Sequence, residues 1–199
     1  MEKDELWEEL RFEIGTMNRL NSSKEDEEIL LGSGNKEAKI LFIGDDAELY
    51  ETSDLKVAVG SSGEFLIKLC DIAEISPEDY YITTLTKSKI KYRETFDDEK
   101  RKLKDLLDMQ IALIQPEIIV ALGQDVGELL LEKEIDMGRE RGEVKTWRGG
   151  IKLITTYDVN FTKKSRDSSG KKSKVALDFW GDLKLLKQEI EKNVGEEEN

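Results

Sequence analysis

AKILFIGDDAELYE, residues 38–51, changes character at a single glycine. Before it, Ala38 to Ile43 is apolar apart from Lys39, rich in β-branched and aromatic residues and too short for a free-standing helix, so it predicts a strand. After Gly44 the chain places Asp45, Asp46, Glu48 and Glu51 within seven residues, so one strand tip delivers a concentrated negative charge. Working outward, Leu6, Leu10, Ile14, Met17 and Leu20 predict an amphipathic helix over residues 4–20, followed by a polar link from Asn21 to Glu28 and a turn at Gly32–Asn35. Gly60–Gly63 opens a second helix striped by Phe65, Leu66, Leu69, Cys70 and Ala73. Ser76–Asp79 is a helix-start signal for one short turn, Tyr80 to Leu85 reads as a strand, and Asp97 to Gln115 as a helix stopped by Pro116. Glu117 to Leu122 is a strand ending at Gly123, with a helix over Val126 to Leu131. A short hairpin arm (Val144 to Trp147) and a last core strand (Ile151 to Tyr157) precede a final helix striped by Ala176, Phe179, Trp180, Leu183, Leu186 and Ile190.

Strands separated by helices predict a parallel sheet covered on both faces, because parallel pairing needs a long crossover. In such sheets ligands bind beyond the carboxyl ends of the strands. Candidate functional residues therefore lie in Asp45–Glu51, Thr84–Lys89, Gly123–Asp125 and Asp158–Lys164. Residues 1–30 read as a helix and linker packed on a domain of residues 31–194, with an acidic tail over 195–199.

Composition excludes whole classes of chemistry. The 199 residues hold no histidine and one cysteine, Cys70, which removes Ser-His-Asp triads, histidine metal sites, disulfides and Cys-only metal centres. Chemistry must run on carboxylates, hydroxyls, lysines, amides or an oxygen-bound cation. The first ten residues are acidic, and the longest apolar stretch is the five residues Ile118–Leu122. The expectation is a chain that neither enters nor spans a membrane and works in a reducing cytoplasm. Net charge is −13, yet Val144 to Lys174 carries nine basic residues and two acidic ones. Such a run reads either as a solvated lysine-rich loop or as a flank that holds phosphates. Gly32-Ser33-Gly34 precedes its strand and lacks a third glycine, so it is no dinucleotide fingerprint, and Gly170-Lys171-Lys172-Ser173 lacks the opening glycine and the preceding strand of a phosphate loop.

Five segments, in order, resemble the uracil-DNA glycosylase superfamily, in particular the branch whose thermophilic members carry an iron–sulfur cluster. GNKEAKILFIGDD (Gly34 to Asp46) is similar to GNPxAxLMxVGEAPG, VAVGSSGEFL (Val57 to Leu66) to FVGxAGxLL, DYYITTLTKSK (Asp79 to Lys89) to xVYITNxVKCRPP, LIQPEIIVALG (Leu113 to Gly123) to LIxPxxIVxLG, and TTYDVNFTKK (Thr155 to Lys164) to TYHPSYLLR. The resemblance implies a three-layer α/β/α sandwich around a central, mostly parallel four-stranded sheet, and an enzyme that flips a base out of DNA and hydrolyses its glycosidic bond. It implies catalytic carboxylates at Asp45, Asp46 and Glu51, with Asp158 where the family has a leaving-group histidine. The base pocket would comprise Gly44, Ala58 (for a stacking phenylalanine), Thr84 (for a base-reading asparagine) and Tyr157. DNA contacts would come from Gly60, Ser61, Ser62, Lys87, Asn160, Phe161, Lys163, Lys164, Arg166, Lys171 and Lys172. Met17, Ser88 and Leu103 fall near the family's ligating cysteines, so no cofactor and no metal are expected, and packing of the first helix should replace the cluster.

Several of these positions have a structural reading as well. Asp45 and Asp46 can end a strand and cap a turn, Thr84 can be a packing residue, and Asp158 can cap the segment after the last strand. An ionised Asp158 about 4 Å from a leaving anion would cost roughly 4 kcal/mol at an effective dielectric near 20, on the order of a thousandfold in rate. Three functions follow: a DNA glycosylase of altered base preference, a non-catalytic module binding nucleic acid or protein on the same fold, or a hydrolase of free nucleosides. A monomer acting on damaged duplex or single-stranded DNA is the expected form.

Overall fold

Alternation within the strands builds the layers. In the computed structural model, which describes residues 2–21, 31–51 and 54–197, β2 (Ile40–Gly44), β3 (Tyr80–Thr84) and β4 (Ile118–Leu122) are buried at every position, and β6 (Lys152–Thr156) at all but its first. These four strands run parallel, with Ile40 opposite both Tyr80 and Ile118, and Ile118 opposite Lys152. Side chains leave a strand alternately on its two faces. Leu41, Ile43, Ile119 and Ala121 accordingly pack with α1 (Lys3–Asn21), α3 (Asp97–Ile114) and α4 (Gln124–Leu131), through residues such as Trp7, Ile14, Leu107 and Val126. Ile40, Phe42, Ile118 and Val120 meet the opposite layer of α2 (Ser62–Ile72), α6 (Val159–Ser169) and α7 (Lys174–Glu197), through Leu66, Cys70, Phe179 and Leu183. A one-turn helix, α5 (Met137–Glu140), lies in the connection after α4.

The sheet has six strands where four were expected, because each side gains a short antiparallel edge. β1 (Ser33–Gly34) pairs with Tyr81 and Ile82, and β5 (Val144–Thr146) pairs with β6. The order is β1-β3-β2-β4-β6-β5. Gly32–Asn35, expected as a turn, thus supplies an edge strand with too little side chain to announce itself.

Two further expectations change. The segment from Asp158 to Lys164, expected as a loop, is the start of α6, and the lysine-rich stretch continues through that helix into a tight turn at Gly170–Lys172. The acidic tail expected from Gly195 begins inside α7, which runs to Glu197. Most of the polar link, residues 22–28, lies outside the described residues. The first helix shares the core of the domain: Trp7, Leu10, Ile14 and Met17 are all buried against α3 and the sheet. No helix among the described residues is long and apolar enough to cross a membrane.

Candidate active site

The carboxyl ends of β2, β4 and β6 meet at one place. Gly123, at the end of β4, has φ 116, and a Cβ there would stand 3.5 Å from that of Asp158, so the tips of β4 and β6 close together at a residue free to take that backbone. At the tip of β2, successive residues face apart. Asp46 caps the short turn Ala47–Leu49, its Oδ1 accepting from the Glu48 N–H at 2.9 Å. Asp45 accepts the Tyr92 N–H on both carboxylate oxygens at 3.1 Å, while the Lys91 ammonium donates to the Asp45 carbonyl at 2.7 Å. Burial pushes the Asp45 carboxyl up to about 6, against the pull of the Tyr92 N–H and Lys91 and with help from the charges of Asp125 and Asp158.

Beside these groups opens a cleft of about 800 Å³, lined by Asp46, Glu48, Tyr50, Glu51, Ala58, Gly60, Ser61, Lys89, Lys91 and Asn160 among others. Its volume lies within the range of ligand clefts, roughly 300–1,000 Å³. The second oxygen of Asp46 is buried without a hydrogen-bond partner. A buried, unsatisfied carboxylate oxygen is costly unless something arrives to donate to it. The helix packing that frames the cleft depends on Gly63, where a Cβ would fall 2.3 Å from the Leu49 carbonyl, so only glycine lets the start of α2 rest on the turn after Asp46.

Of the residues expected in the site, Asp46, Glu51, Ala58, Gly60, Ser61 and Asn160 line the cleft. Ser61 also caps α2, accepting from the Glu64 N–H at 3.2 Å, and Gly60 donates its N–H to the Glu64 carboxylate at 2.7 Å. Gly44 is the buried floor under Leu49. Thr84 stands behind the cleft: its hydroxyl donates to the Thr86 carbonyl at 2.5 Å and lies 3.3 Å from the Tyr50 hydroxyl. Asp158 caps α6 through the Phe161 N–H at 2.8 Å, and its carboxyl is raised by burial and by Asp46 against the lowering pull of that N–H. Its carboxylate is therefore directed at the helix start, where negative charge is favoured. Tyr157 packs against Phe161 with ring centres 5.9 Å apart and lies under the Arg141 guanidinium, away from the cleft lining.

Two expected DNA contacts are corrected by burial. Ser62 is 1% exposed and Lys87 is 0% exposed, so neither reaches a bound strand. The Lys87 ammonium donates to Thr83 Oγ1 at 2.5 Å, the Thr84 carbonyl at 2.7 Å and Gln110 Oε1 at 2.9 Å, and desolvation lowers it to about 7. Phe161 is exposed, on a helix rather than a loop. The basic run is split by β6. Lys145, Arg148 and Lys152, which precede the strand tip, are paired with Glu140, Glu132 and Glu189. Beyond the tip, Lys163 pairs with Asp167 and Lys174 with Asp178, while Lys164, Arg166, Lys171 and Lys172 carry no ion pair among the described residues.

Tyr50 and Lys89 line the cleft from within segments expected to hold functional residues, and Lys91 lines it from outside every such segment. Lys89 stood at the edge of a candidate segment, but nothing local marks Lys91, whose place comes from a contact with Asp45 forty-six residues away.

The residues near the family's cysteine positions do not fit an iron–sulfur cluster. Met17 and Leu103 are buried in the apolar core between α1 and α3, and the Ser88 hydroxyl accepts the Ile90 N–H. None offers a thiolate. Among the described residues, no group of three or more acidic or thiol side chains is arranged to hold a metal ion.

These features define a three-layer α/β/α domain with an acidic cleft beyond the tips of its parallel strands. The family model of the Uracil DNA glycosylase superfamily matches residues 31–184, and the chain belongs to that superfamily. It is similar to proteins named type-4 uracil-DNA glycosylase: that of Thermotoga maritima, 28% identical over 70% of this chain and 74% of the relative; that of Saccharolobus solfataricus, 34% identical over 62% and 60%; and that of Archaeoglobus fulgidus, 27% identical over 73% and 77%.

Proposed function

We propose that the protein hydrolyses the N-glycosidic bond of a deaminated or modified base in DNA, with Asp46 holding the attacking water. The reading rests on one observation: Asp46 lines a cleft sized for a small ligand and keeps one carboxylate oxygen, buried at the strand tip, without a hydrogen-bond partner. In this reaction the sugar approaches an oxocarbenium ion, which a carboxylate stabilises while taking a proton from water. Asp45, behind the tip, adds negative charge once ionised above pH 6 or so. Thr84 offers no free amide edge, and Ala58 leaves the place of a stacking ring open, so the base preferred need not be the uracil named in the relatives. The single buried thiol fits work in a reducing cytoplasm, where DNA is the partner.

Duplex and single-stranded oligonucleotides carrying uracil, hypoxanthine, xanthine and alkylated purines test the proposal. Excision of at least one base, lost in Asp46→Asn, is the expected result. No excision above that variant on any oligonucleotide would overturn it. The unpaired Lys164, Arg166, Lys171 and Lys172 favour a second reading in that event, a module that binds nucleic acid without cutting it. Salt-dependent binding indifferent to Asp46→Asn would mark that case.

A further inference from the structure

A departing base carries the bonding electrons away as negative charge, and this cleft is lined by Asp46, Glu48 and Glu51, in a chain without histidine. A hydrogen-bond donor or a positive charge has to face the base. Two lysines line the cleft: Lys89 is exposed, whereas Lys91 is half-buried and anchored. The anchoring is two-point. The Lys91 ammonium donates to the Asp45 carbonyl at 2.7 Å, and the next residue, Tyr92, donates its N–H to the Asp45 carboxylate at 3.1 Å. The crossover after β3 is thereby tied to the tip of β2, and the ammonium is fixed beside Asp46. An ammonium has three donors, so one N–H on the carbonyl leaves two for the cleft.

We infer that Lys91 is a catalytic residue for base departure, the donor that stabilises the leaving base as Asp46 receives the water proton. The inference rests on the glycosylase reading above. In the step, the C1′–N bond breaks with its electron pair going to the base, which accepts a hydrogen bond from Lys91 Nζ. The water oxygen bonds C1′, and its proton passes to the Asp46 carboxylate. Atoms and charge balance without another reactant. The position of Asp158 is consistent with this division of labour, since its carboxylate is committed to the α6 cap.

Single-turnover excision by wild type, Lys91→Met, Lys91→Arg and Lys145→Met tests it. The comparison uses uracil against 5-fluorouracil or, for a purine, hypoxanthine against its 7-methyl form, which leaves without negative charge. Lys91→Met should slow the poorer leaving group by on the order of 100-fold, as removal of a transition-state donor does, and the better one distinctly less. Lys91→Arg should recover most of the loss, Lys145→Met, outside the cleft, should stay near wild type, and binding to an abasic-analogue duplex should be unchanged in all. Lys91→Met matching wild type, or slowing both leaving groups equally, would overturn the inference while leaving the glycosylase reading intact. A wild type inactive on every base would remove both.

Discussion

Lys87 and Lys91 stand four residues apart on one crossover and end in opposite surroundings. Lys87 is fully buried on the α1/α3 side of the sheet, its ammonium surrounded by Thr83, the Thr84 carbonyl and Gln110. Lys91 is half-buried on the wall of the acidic cleft, with one donor committed to the Asp45 backbone. The same functional group therefore serves as a structural plug in one place and as a positioned charge in the other. A satisfied network fixes a fold, whereas a site keeps some of its hydrogen-bonding capacity unspent.

The largest effect expected from breaking this contrast is on the unspent side. Asp46→Asn keeps the cap to Glu48, since asparagine caps as well as aspartate, and should lose about 100-fold or more in single-turnover excision with an unchanged melting temperature. On the satisfied side, Lys87→Met should leave activity per folded molecule intact and cost about 1–3 kcal/mol in urea unfolding at pH 9, because the two N–H donors of the neutral amine are lost to buried acceptors. The pH dependence carries a sign. Burial lowers Lys87 from 10.5 to about 7, so between those values the unfolded chain binds a proton that the folded chain does not, and stability rises as pH climbs above 7. Lys87→Met should flatten that rise, measured between pH 7 and 9.

Asp158 sharpens the contrast with a smaller effect. Asp158→Ala should cost about 1 kcal/mol through the lost cap of α6, and Asp158→Asn almost none. If the carboxylate instead opposed the departing base, Asp158→Asn would raise excision by orders of magnitude, so a change of no more than a few-fold is the expected result. The smallest effect is on affinity. Neutralising Lys164, Lys171 and Lys172 should reduce the slope of log binding constant against log salt by about one per phosphate contact removed, seen in DNA titrations at several salt concentrations.

The central strands could be read from sequence because Ile40–Gly44, Tyr80–Thr84 and Ile118–Leu122 are apolar or β-branched runs bounded by turn residues, a pattern that survives any tertiary context. β1 could not, since two residues, Ser33 and Gly34, have no periodicity. α6 was obscured by its lysines, although Asp158 followed by Val159 and Thr162, its two buried residues, is a cap and the start of an apolar stripe. Lys87 carried a quieter signal: counted by twos it continues the buried series Tyr81, Thr83, Leu85. The cleft itself was half legible. Asp46, Tyr50 and Glu51 follow from their place after a strand and Ala58 from the resemblance to the family, while Lys91 depends on which loops come together, and no local spacing records that.

The two outermost strands have a consequence for how copies of the chain meet. β1 offers two residues and β5 three, so a neighbour that tried to lengthen the sheet would find only a few backbone groups to bond. Brief borders of this kind are a common protection against lateral growth. The long parallel strands, which would make the best template for such growth, are all enclosed between them.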